Sequence, residues 1–531
     1  MKTRLLATAA AISLTAGAAQ AEYVLNVLHI NDFHSRIEPI NRFDSTCDAE
    51  TEANGECFGG VARLATKLAE LRAELDGQNV ILLDSGDQYQ GSLFYTHYRG
   101  EEVVEFMNRL GFDAMAVGNH EFDDGDDGLA LLAEGVDFPV LASNLDLSQN
   151  NRLQGLVDSY AILEVGGEKI GIVSALTPDT VEIASPSDSV IFTDPVEALR
   201  ADIEALTEQG VTKIIALNHI GYLHDQELAA AVPGLDAVVG GHSHTLLGDM
   251  EGAEGPYPTM VSGADGRDVP VVQAYAYSKY LGHLVLTFDD EGNLTGAEGQ
   301  PILLDASVTP DAAVAARVTE MAEPIEELKN RVVAQTNTEI GADRADCRAR
   351  ECVMGSLVAD AMLERVRDQG IQIAIQNGGG LRAAIDQGPI TMGEVLAVLP
   401  FQNTLATFQL GGEYVLEALE NGASQIEEGG GRFAQVAGLR YTIDPAAPAG
   451  SRISDVEVEE NGAWEALDPE RVYGVVSNNF MRNGGDGYAM FKAHGQNAYD
   501  FGPDLADVLA DYLAEKGADF APETDGRITV N

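Results

Sequence analysis

The chain has 531 residues, of which 85 are Asp or Glu and 32 are Lys or Arg, so its formal net charge is −53 and its pI is about 4.2. This charge excludes a general nucleic-acid-binding protein, because a polyphosphate backbone requires a basic face. With 45% hydrophobic residues the composition is that of a packed globular protein rather than a disordered acidic one. The length favours roughly two to four domains.

The N-terminus predicts an export signal. Two basic residues, Lys2 and Arg4, precede a short apolar run that ends in an Ala-x-Ala motif at residues 19–21. A charged start, an apolar centre and a small-residue site are typical of a secretory signal peptide. We therefore expect residues 1–21 to be removed and the mature protein to be periplasmic or secreted.

The four cysteines form two close pairs that are far apart along the chain. In an oxidising compartment, two short-range disulfides are expected, Cys47 with Cys57 and Cys347 with Cys352. A zinc site is the alternative, although neither pair has the CxxC spacing that such sites usually show.

Short apolar segments alternate with helical patterns from residue 23 to about residue 300. Alternating strands and helices predict an α/β sandwich built on one or two sheets. The first connecting helix is indicated by Leu64, Leu68, Leu71 and Leu75, which recur at helical spacing. The predicted strands are Val24–Ile30, Val80–Leu83, Ala114–Val117, Ile170–Val173, Lys213–Leu217 and Ala237–Val239.

A helix beginning near residue 309 predicts the boundary between two domains. We expect Thr309 to cap this helix, with Pro310 in its first turn, and apolar residues then recur from Val314 to Leu328 at steps of four and three. Pro324 should kink or split the helix. The predicted divisions are a first domain at 22–305, a helical linker at 306–335 and a second domain at 336–531. Within the second domain, helices are predicted at Met354–Val366 and Thr391–Val398 and strands at Ile371–Ile375, Ile453–Val458 and Val472–Val476.

Side chains that suit metal binding follow five of the predicted strands. Ligands of open α/β folds collect at the carboxyl ends of strands, and half of the chain's 10 histidines lie in these clusters. Carboxylate, amide and imidazole groups together suit Mn²⁺, Zn²⁺ or Mg²⁺. A bridging carboxylate can hold two such ions about 3.5–4 Å apart, and the pair can activate water and bind a phosphoryl oxygen. The clusters are Asp32-x-His34, Gly86-Asp87, Gly118-Asn119-His120-Glu121, His219 and Gly241-His242-Ser243-His244.

In this order the clusters resemble the series D-x-H, GD, GNH(E/D), H and GHxH of the calcineurin-like metallophosphoesterases. The resemblance implies a four-layer α/β/β/α sandwich with two divalent ions, Zn²⁺, Mn²⁺ or similar, bridged by Asp87. His120 would stay unligated and face the phosphate, oriented by Asp123, and would donate to an oxygen that gains charge during the reaction. The 5′-nucleotidase branch often has Gln or Asn where this chain has His244. One ion would be held by Asp32, His34, Asp87 and His244, and the other by Asp87, Asn119, His219 and His242.

Four segments of the second half indicate the substrate. Taken singly, glycine turns, arginines and phenylalanines are ordinary, but together they resemble the C-terminal domain of the 5′-nucleotidase family, which includes periplasmic UDP-sugar hydrolase and ecto-5′-nucleotidase. The resemblance covers essentially the whole mature chain. It implies that the base stacks between Phe401 and Phe480, that Asn403 and Asp486 contact base and ribose, and that Asn377, Arg348 and Arg382 complete the substrate site. The segments are 347–352, 376–382, 399–403 and 478–487.

The resemblance therefore implies a secreted dimetal phosphohydrolase that removes the 5′-phosphate of nucleotides. The second domain would bind base and ribose and rotate about the linker helix to bring the phosphate to the metals. A disulfide between Cys347 and Cys352 would keep Arg348 on a rigid loop, and one between Cys47 and Cys57 would close a loop beside residues 59–64.

Other functions of the same architecture stay open at this point. They are hydrolysis of UDP-sugars, of nucleoside di- or triphosphates, or of 2′,3′-cyclic nucleotides. A relative of the dimanganese hydrolase of thiosulfate oxidation is disfavoured by the paired phenylalanines, and a non-enzymatic nucleotide-binding protein is disfavoured by the complete ligand set. We expect neither a nucleic-acid polymer as partner nor a membrane anchor, since no apolar tail is present near Asn531. The sequence leaves metal identity, base preference and oligomeric state open.

Overall fold

A computed structural model describes residues 22–42, 44, 47, 49–460, 462–517 and 520–531 of the chain. The predicted signal peptide, residues 1–21, lies outside the described residues. None of the helices in these ranges is both long enough and apolar enough to span a membrane.

The first half is built on two six-stranded sheets. Its strands are β1 (Tyr23–Ile30), β2 (Asn79–Asp84), β3 (Ala114–Ala116), β4 (Val140–Leu141), β5 (Leu145–Asp146), β6 (Tyr160–Val165), β7 (Glu168–Val173), β8 (Ile191–Phe192), β9 (Lys213–Leu217), β10 (Ala237–Val239), β11 (Thr259–Ser262), β12 (Asp268–Val272), β13 (Tyr280–Phe288) and β14 (Leu294–Leu303). Its helices are α1 (Ala49–Ala53), α2 (Val61–Glu74), α3 (Leu93–Tyr98), α4 (Glu101–Leu110), α5 (Gly125–Gly135), α6 (Thr180–Ile183), α7 (Pro195–Glu208), α8 (Tyr222–Ala231) and α9 (Ala312–Lys329).

The order of strands is β14-β13-β1-β2-β3-β4 in one sheet and β11-β12-β10-β9-β7-β6 in the other, while β5 pairs with β8 separately. Strands β1 to β4 are parallel neighbours, as are β7, β9 and β10. The carboxyl ends of these strands therefore lie along one edge of each sheet.

The two sheets pack face to face and helices cover their outer faces. Because side chains alternate along a strand, Val27 of β1 lies in the core between the sheets, where it joins residues such as Ile215 of β9, and Leu28 faces the helices. Helices α2, α4, α5 and α9 cover the first sheet, whereas α7 and α8 cover the second. This arrangement confirms the four-layer α/β/β/α sandwich.

Helix α9 differs from its prediction at two points. Its cap is Asp311 rather than Thr309, because the Asp311 carboxylate accepts hydrogen bonds from the backbone nitrogens of Ala313 and Val314 at 3.0 and 2.8 Å. Pro324 does not split the helix, which is continuous over Ala312–Lys329. Its apolar face is buried in the core of the first half, and this packing holds the helix together across the hydrogen bond that proline cannot make.

The second half is a smaller α/β unit. Its central sheet has the order β19-β16-β23-β18-β24, a four-stranded sheet has the order β22-β21-β20-β25, and β15 pairs with β17. Helices α11, α12 and α16 cover one face of the central sheet and α13 and α15 the other. The strands are β15 (Val332–Thr336), β16 (Ile373–Asn377), β17 (Gly388–Thr391), β18 (Leu405–Gly411), β19 (Ala434–Ala437), β20 (Leu439–Ile443), β21 (Ile453–Glu460), β22 (Ala463–Ala466), β23 (Val472–Asn478), β24 (Gln496–Tyr499) and β25 (Ile528–Val530). The helices are α10 (Arg344–Cys347), α11 (Val353–Val366), α12 (Met392–Val398), α13 (Gly412–Ala423), α14 (Asn479–Arg482), α15 (Ala489–His494) and α16 (Leu505–Glu515).

Both predicted disulfides are present. The Cα atoms of Cys47 and Cys57 are 6.0 Å apart, and those of Cys347 and Cys352 are 5.0 Å apart. Since all four sulfurs are paired, the zinc alternative for the cysteines is wrong.

Candidate active site

The predicted metal ligands lie together at the carboxyl ends of five strands. In the first sheet they follow the parallel neighbours β1, β2 and β3, and in the second sheet they follow β9 and β10. The two edges meet, so residues far apart along the chain become neighbours. The ligands are Asp32 and His34 after β1, Asp87 after β2, Asn119 after β3, His219 after β9, and His242 and His244 after β10.

Three of these side chains form a first group. His34 Nε2 is 3.0 Å from His244 Nε2, and His244 Nε2 is 3.3 Å from Asp32 Oδ1. Side-chain atoms of all three lie within 4.8 Å of one another. Such spacing suits donors arranged around one cation, and the group contains two imidazoles and one carboxylate.

A second group, Asp87 with His219 and His242, lies beside the first. Asp87 Oδ2 is 3.1 Å from His219 Nε2 and 3.9 Å from His34 Nε2, so the carboxylate faces both groups. His242 Nδ1 is 2.9 Å from Asn119 Oδ1. The position of Asp87 between the two groups is the one that a bridging ligand requires.

The donor atoms are arranged to receive cations. His34 Nδ1 faces the carbonyl of Tyr89 at 3.1 Å and His219 Nδ1 faces the carbonyl of Ser85 at 2.6 Å, which orients each Nε2 toward the group. His219 Nε2 and Asp87 Oδ2 are buried without a well-aligned hydrogen bond among the described residues. Buried polar atoms that lack such partners are the ones a metal ion satisfies, so these residues fit a pair of divalent cations.

Five of the seven predicted ligands have a left-handed backbone, with φ between 50° and 75°. Residues other than glycine rarely adopt this region, and each instance costs about 1–3 kcal/mol unless the surroundings enforce it. The clustering of such strain at one edge of the sandwich is independent support for a functional site. These residues are Asp32, His34, Asp87, His242 and His244.

Burial and neighbouring charges determine which of the predicted metal ligands are protonated. Burial favours the neutral forms, but the Asp87 carboxylate outweighs it and raises the pKa of His219 to about 10. Burial also raises the pKa of Asp87, yet the charges of His219 and His120 hold it well below its usual range. Burial and like charges lower the pKa values of His34 and His242 to about 3, which keeps these two imidazoles neutral. A cation bound at His219 would release the proton of that imidazole.

His120 and Asp123 form a hydrogen-bonded pair at the edge of the ligand group. His120 Nδ1 is 2.7 Å from Asp123 Oδ2, and His120 Nε2 has no hydrogen-bond partner among the described residues. Burial lowers the pKa of His120, but the carboxylates of Asp123 and Asp87 outweigh it and raise the pKa to about 9. In the metal-free protein these carboxylates favour the protonated imidazole, whose second N–H is at Nε2.

Glu121 is a buried residue to which sequence reasoning assigned no role. Its carboxylate accepts hydrogen bonds from four backbone N–H groups, which join the loop after β2 to the loop after β3. The two loops approach so closely that a Cβ at Gly118 would lie 2.3 Å from the backbone nitrogen of Asp87. The Gly118-Asn119-His120-Glu121 sequence contains the signal for this contact, because it supplies both the glycine and the carboxylate.

A cleft of about 1010 Å³ lies between the metal ligands and the second half. His244 contributes to its wall from the first half. All seven predicted substrate residues line the same cleft, namely Arg348, Asn377, Arg382, Phe401, Asn403, Phe480 and Asp486.

The polar side of the cleft carries arginines and a lysine together with the carboxylates of Asp44, Glu254, Asp486 and Asp500. Asn377 Nδ2 donates to Asp486 Oδ2 at 2.7 Å, which fixes both side chains. Burial and the nearby guanidinium groups of Arg344 and Arg382 lower the pKa of Arg348. Positive charges that repel one another in this way would be stabilised by a bound anion.

The two phenylalanines occupy accessible positions beside the cleft. The Phe480 ring is 42% exposed and lies against Gly485, where a Cβ would be 2.5 Å from the ring. The guanidinium of Arg382 lies 5.6 Å from the centre of the Phe401 ring. A large exposed aromatic ring inside a cleft is available to stack on a flat ligand.

Three further cleft residues were missed by sequence reasoning. Arg36 stacks over the ring of Tyr277 at 5.0 Å, and Phe501 packs on His244. Arg36 follows the Asp32-x-His34 cluster by two residues, which was an available signal. Nothing in the sequence around Phe501 marks it, because its contact joins two distant segments.

Two family models match the chain. The one described as calcineurin-like phosphoesterase matches residues 25–246, and the one described as 5′-nucleotidase, C-terminal domain, matches residues 332–493. A snake venom 5′-nucleotidase from Gloydius brevicauda is 38% identical over 542 aligned residues, which cover 98% of this chain and 90% of the relative. The chain belongs to the 5′-nucleotidase family.

Solved structures agree with this membership. A 5′-nucleotidase precursor from Thermus thermophilus is 42% identical with a TM-score of 0.61, over 96% of this chain and 99% of that one. The NAD nucleotidase of Haemophilus influenzae is 26% identical with a TM-score of 0.79, again over 96% and 99%. The predicted family and the two-part α/β architecture are thus confirmed, and the family implies divalent metal ions.

Proposed function

We propose that this protein hydrolyses the 5′-phosphate of nucleotides, releasing nucleoside and inorganic phosphate. The observation that carries the proposal is the single cleft in which the predicted nucleotide contacts of the second half share a wall with the metal-ligand loops. Membership of the 5′-nucleotidase family supports the same reaction.

Two divalent ions fit the paired ligand groups. We assign one to Asp32, His34, Asp87 and His244, and the other to Asp87, Asn119, His219 and His242, with Zn²⁺ or Mn²⁺ as the expected ions. Ions in such a pair lower the pKa of a water, so that it becomes a nucleophile near neutral pH, and they attract the phosphoryl oxygens.

His120 is proposed to act as the proton donor. Its free Nε2–H lies at the edge of the ligand groups, where it can donate to a phosphoryl oxygen or to the leaving oxygen as negative charge builds there. Asp123 orients the imidazole and favours its charged form.

The second half is proposed to select the substrate. Phe401 and Phe480 would stack on the base, while Asn403 and Asp486 would bind base and ribose, respectively. Asn377 would hold Asp486 in place, and the two arginines would attract the phosphate. We retain 22–305, 306–335 and 336–531 as the proposed domain divisions. Within the proposed linker, α9 packs on the first half, and β15 begins at Val332 and pairs with β17 of the second half.

We propose that the chain is exported after removal of residues 1–21. The charged start and the Ala-x-Ala motif support this proposal, as does the venom origin of one relative. N-terminal sequencing of the protein recovered from the periplasm or medium of its host tests it, and a mature chain that begins at Glu22 is expected.

A phosphate-release assay tests the proposed reaction. We expect AMP to be hydrolysed faster than ADP, ATP, UDP-glucose or 2′,3′-cyclic AMP, and thorough EDTA treatment to abolish turnover until Zn²⁺ or Mn²⁺ is returned. Faster hydrolysis of UDP-glucose or of the cyclic nucleotide would favour the corresponding alternative substrate. Turnover that survives metal removal would contradict the dimetal site.

A further inference from the structure

The segment between β24 and α16 reaches from the second half to the metal-binding loops. The Phe501 ring centre is 4.4 Å from that of His244 and 5.7 Å from that of His242. These histidines are assigned to different ions, so one ring from the second half touches ligands of both.

This segment is bound to the loop of residues 399–403, which we call the base loop. The backbone nitrogen of Leu505 donates to the carbonyl of Asn403 at 2.8 Å, and the nitrogen of Leu405 donates to the carbonyl of Pro503 at 3.0 Å. The nitrogen of Gly502 donates to the carbonyl of Leu405 at 2.9 Å, and a Cβ at Gly502 would lie 2.7 Å from that oxygen. Leu405 is the first residue of β18 and Leu505 is the first residue of α16. The segment is therefore hydrogen-bonded to the base loop at Asn403 and to the start of the strand that follows this loop, and the three parts form one unit.

The same unit has a second contact with the first half. Arg36, which lies two residues after His34, donates a hydrogen bond to the side-chain oxygen of Gln402 in the base loop. The arginine is 4% exposed. The unit thus touches the ligand loop after β1 through Gln402 and the ligand loop after β10 through Phe501.

We propose that Phe501 is a positioning residue that couples nucleoside binding at the base loop to metal binding at His244. A ring packed on one face of an imidazole restricts its rotation and keeps water from that face, which favours the orientation needed for ligation. The contact exists only while the two halves lie against each other. A nucleoside that favours this arrangement therefore tightens metal binding, and by linkage the metal tightens nucleoside binding to the same extent.

This inference rests on the proposed function, because it requires a nucleoside at the base loop. Chelator competition on the full chain loaded with Zn²⁺, with and without saturating adenosine, measures the coupling. Adenosine is chosen because it has no phosphate to contact the ions. In the wild-type protein adenosine should raise Zn²⁺ affinity at least about fivefold, the lower end of typical couplings, and in Phe501→Ala less than about twofold.

Two further variants make the test specific. Phe501→Tyr keeps the ring and should keep the coupling. Phe520→Ala removes another half-buried ring of the second half, which packs on the core of α11, α12 and α16 and does not line the cleft, and it should also keep the coupling. If Phe501→Ala does not fold, Phe501→Leu replaces it, since it keeps an apolar side chain without the flat ring and should lose the coupling.

Calorimetric titration with adenosine distinguishes failure of the role proposed for Phe501 from failure of the proposed function. Adenosine that binds both wild type and Phe501→Ala with equal coupling to Zn²⁺ would overturn the role of Phe501 and leave the proposed function standing. Absence of adenosine binding to the wild-type protein would overturn the proposed function and this inference with it.

Discussion

His120 is the residue at which proton transfer and metal binding can be separated. Replacing it with alanine removes the proposed proton donor, so kcat for AMP should fall by about 10²–10⁴-fold while bound metal stays at the wild-type level. The measurements are phosphate release and metal content of the purified variant. His224→Ala is the matched control, because that histidine is exposed and pairs only with Glu227 on the surface. Loss of metal from the His120 variant alone would mean that His120 is a ligand.

Glu121 should prove essential for the geometry of the ligands although it is assigned to neither ion. In Glu121→Gln the amide NH₂ would face backbone N–H groups, and the buried donors left unpaired should lower the free energy of unfolding by at least about 2 kcal/mol. Urea unfolding measures this change. Glu134→Gln alters an exposed carboxylate paired with Arg152 and should change the free energy of unfolding far less than Glu121→Gln does. Equal stability of the two variants would contradict the bridging role of Glu121.

For single residues, the sequence predicts which side chains form the site but not the backbone conformation that positions them. Asp32, His34 and Asp87 are predictable because carboxylates and imidazoles follow buried strands whose ends meet. Their left-handed backbone is not predictable, since it is imposed by loops that pack against one another across the sheet edge. Phe501 was missed because its contact with His244 depends on the placement of the two halves.

The disulfide loop between Cys347 and Cys352 is expected to position Arg348, and this expectation can be tested directly. A Cβ at Gly378 would lie 2.1 Å from the carbonyl of Cys347, so the loop that carries Arg348 packs directly on the glycine turn after β16. Replacing both cysteines with serine should lower stability by roughly 2 kcal/mol, as expected for a short loop, and should raise KM for AMP more than it lowers kcat.

The Cys47–Cys57 bridge provides the matched control. Its removal should cost a similar stability, because its loop is also short. It should leave KM nearly unchanged, because none of the described residues between Cys47 and Cys57 lines the cleft, whereas Arg348 lies between Cys347 and Cys352. Steady-state kinetics and thermal unfolding of the two double-serine variants make the comparison. Equal changes in KM would show that the effect is one of general stability and not of Arg348.

Elements with strong apolar patterns were predicted almost to the residue. Strands Lys213–Leu217 and Ala237–Val239 have the predicted bounds, because both are short buried runs enclosed by polar residues. The start of α9 was misplaced because Thr309 and Asp311 are both good caps, and only the hydrogen bonds in the folded chain choose between them. The consequence of Pro324 was overestimated for a similar reason, since burial of one face stabilises a helix beyond its local propensity.

For the molecule as a whole, the relative placement of the two halves is the main property that the sequence does not determine. The Thermus relative is more similar in sequence than the Haemophilus relative, 42% against 26%, yet it superposes less well, with TM-scores of 0.61 and 0.79. A different angle between two rigid halves would lower the TM-score of the relative that is more similar in sequence.

The net charge of −53 should govern capture of an anionic substrate. Raising ionic strength from about 0.01 M to about 0.1 M shortens the Debye length from about 30 Å to about 10 Å, which screens repulsion by the distant surface more than attraction inside the cleft. We expect kcat/KM for AMP to rise over this range while kcat stays constant. A steady fall in kcat/KM would show that the cleft arginines and metals, and not the acidic surface, control the encounter.

The shared cleft has a consequence for engineering chimeric enzymes. The groups that would recognise the base lie in the second half and those that would cleave the phosphate lie in the first, so a graft of residues 336–531 from a relative should change base preference without changing the reaction. The graft has to preserve the contacts between the two halves, because Gln402 binds Arg36 and Phe501 packs on His244 of the same chain. A graft that lacks these contacts should fold and bind its nucleoside but should hydrolyse the nucleotide slowly. Restoring the four contact residues should restore the rate of hydrolysis.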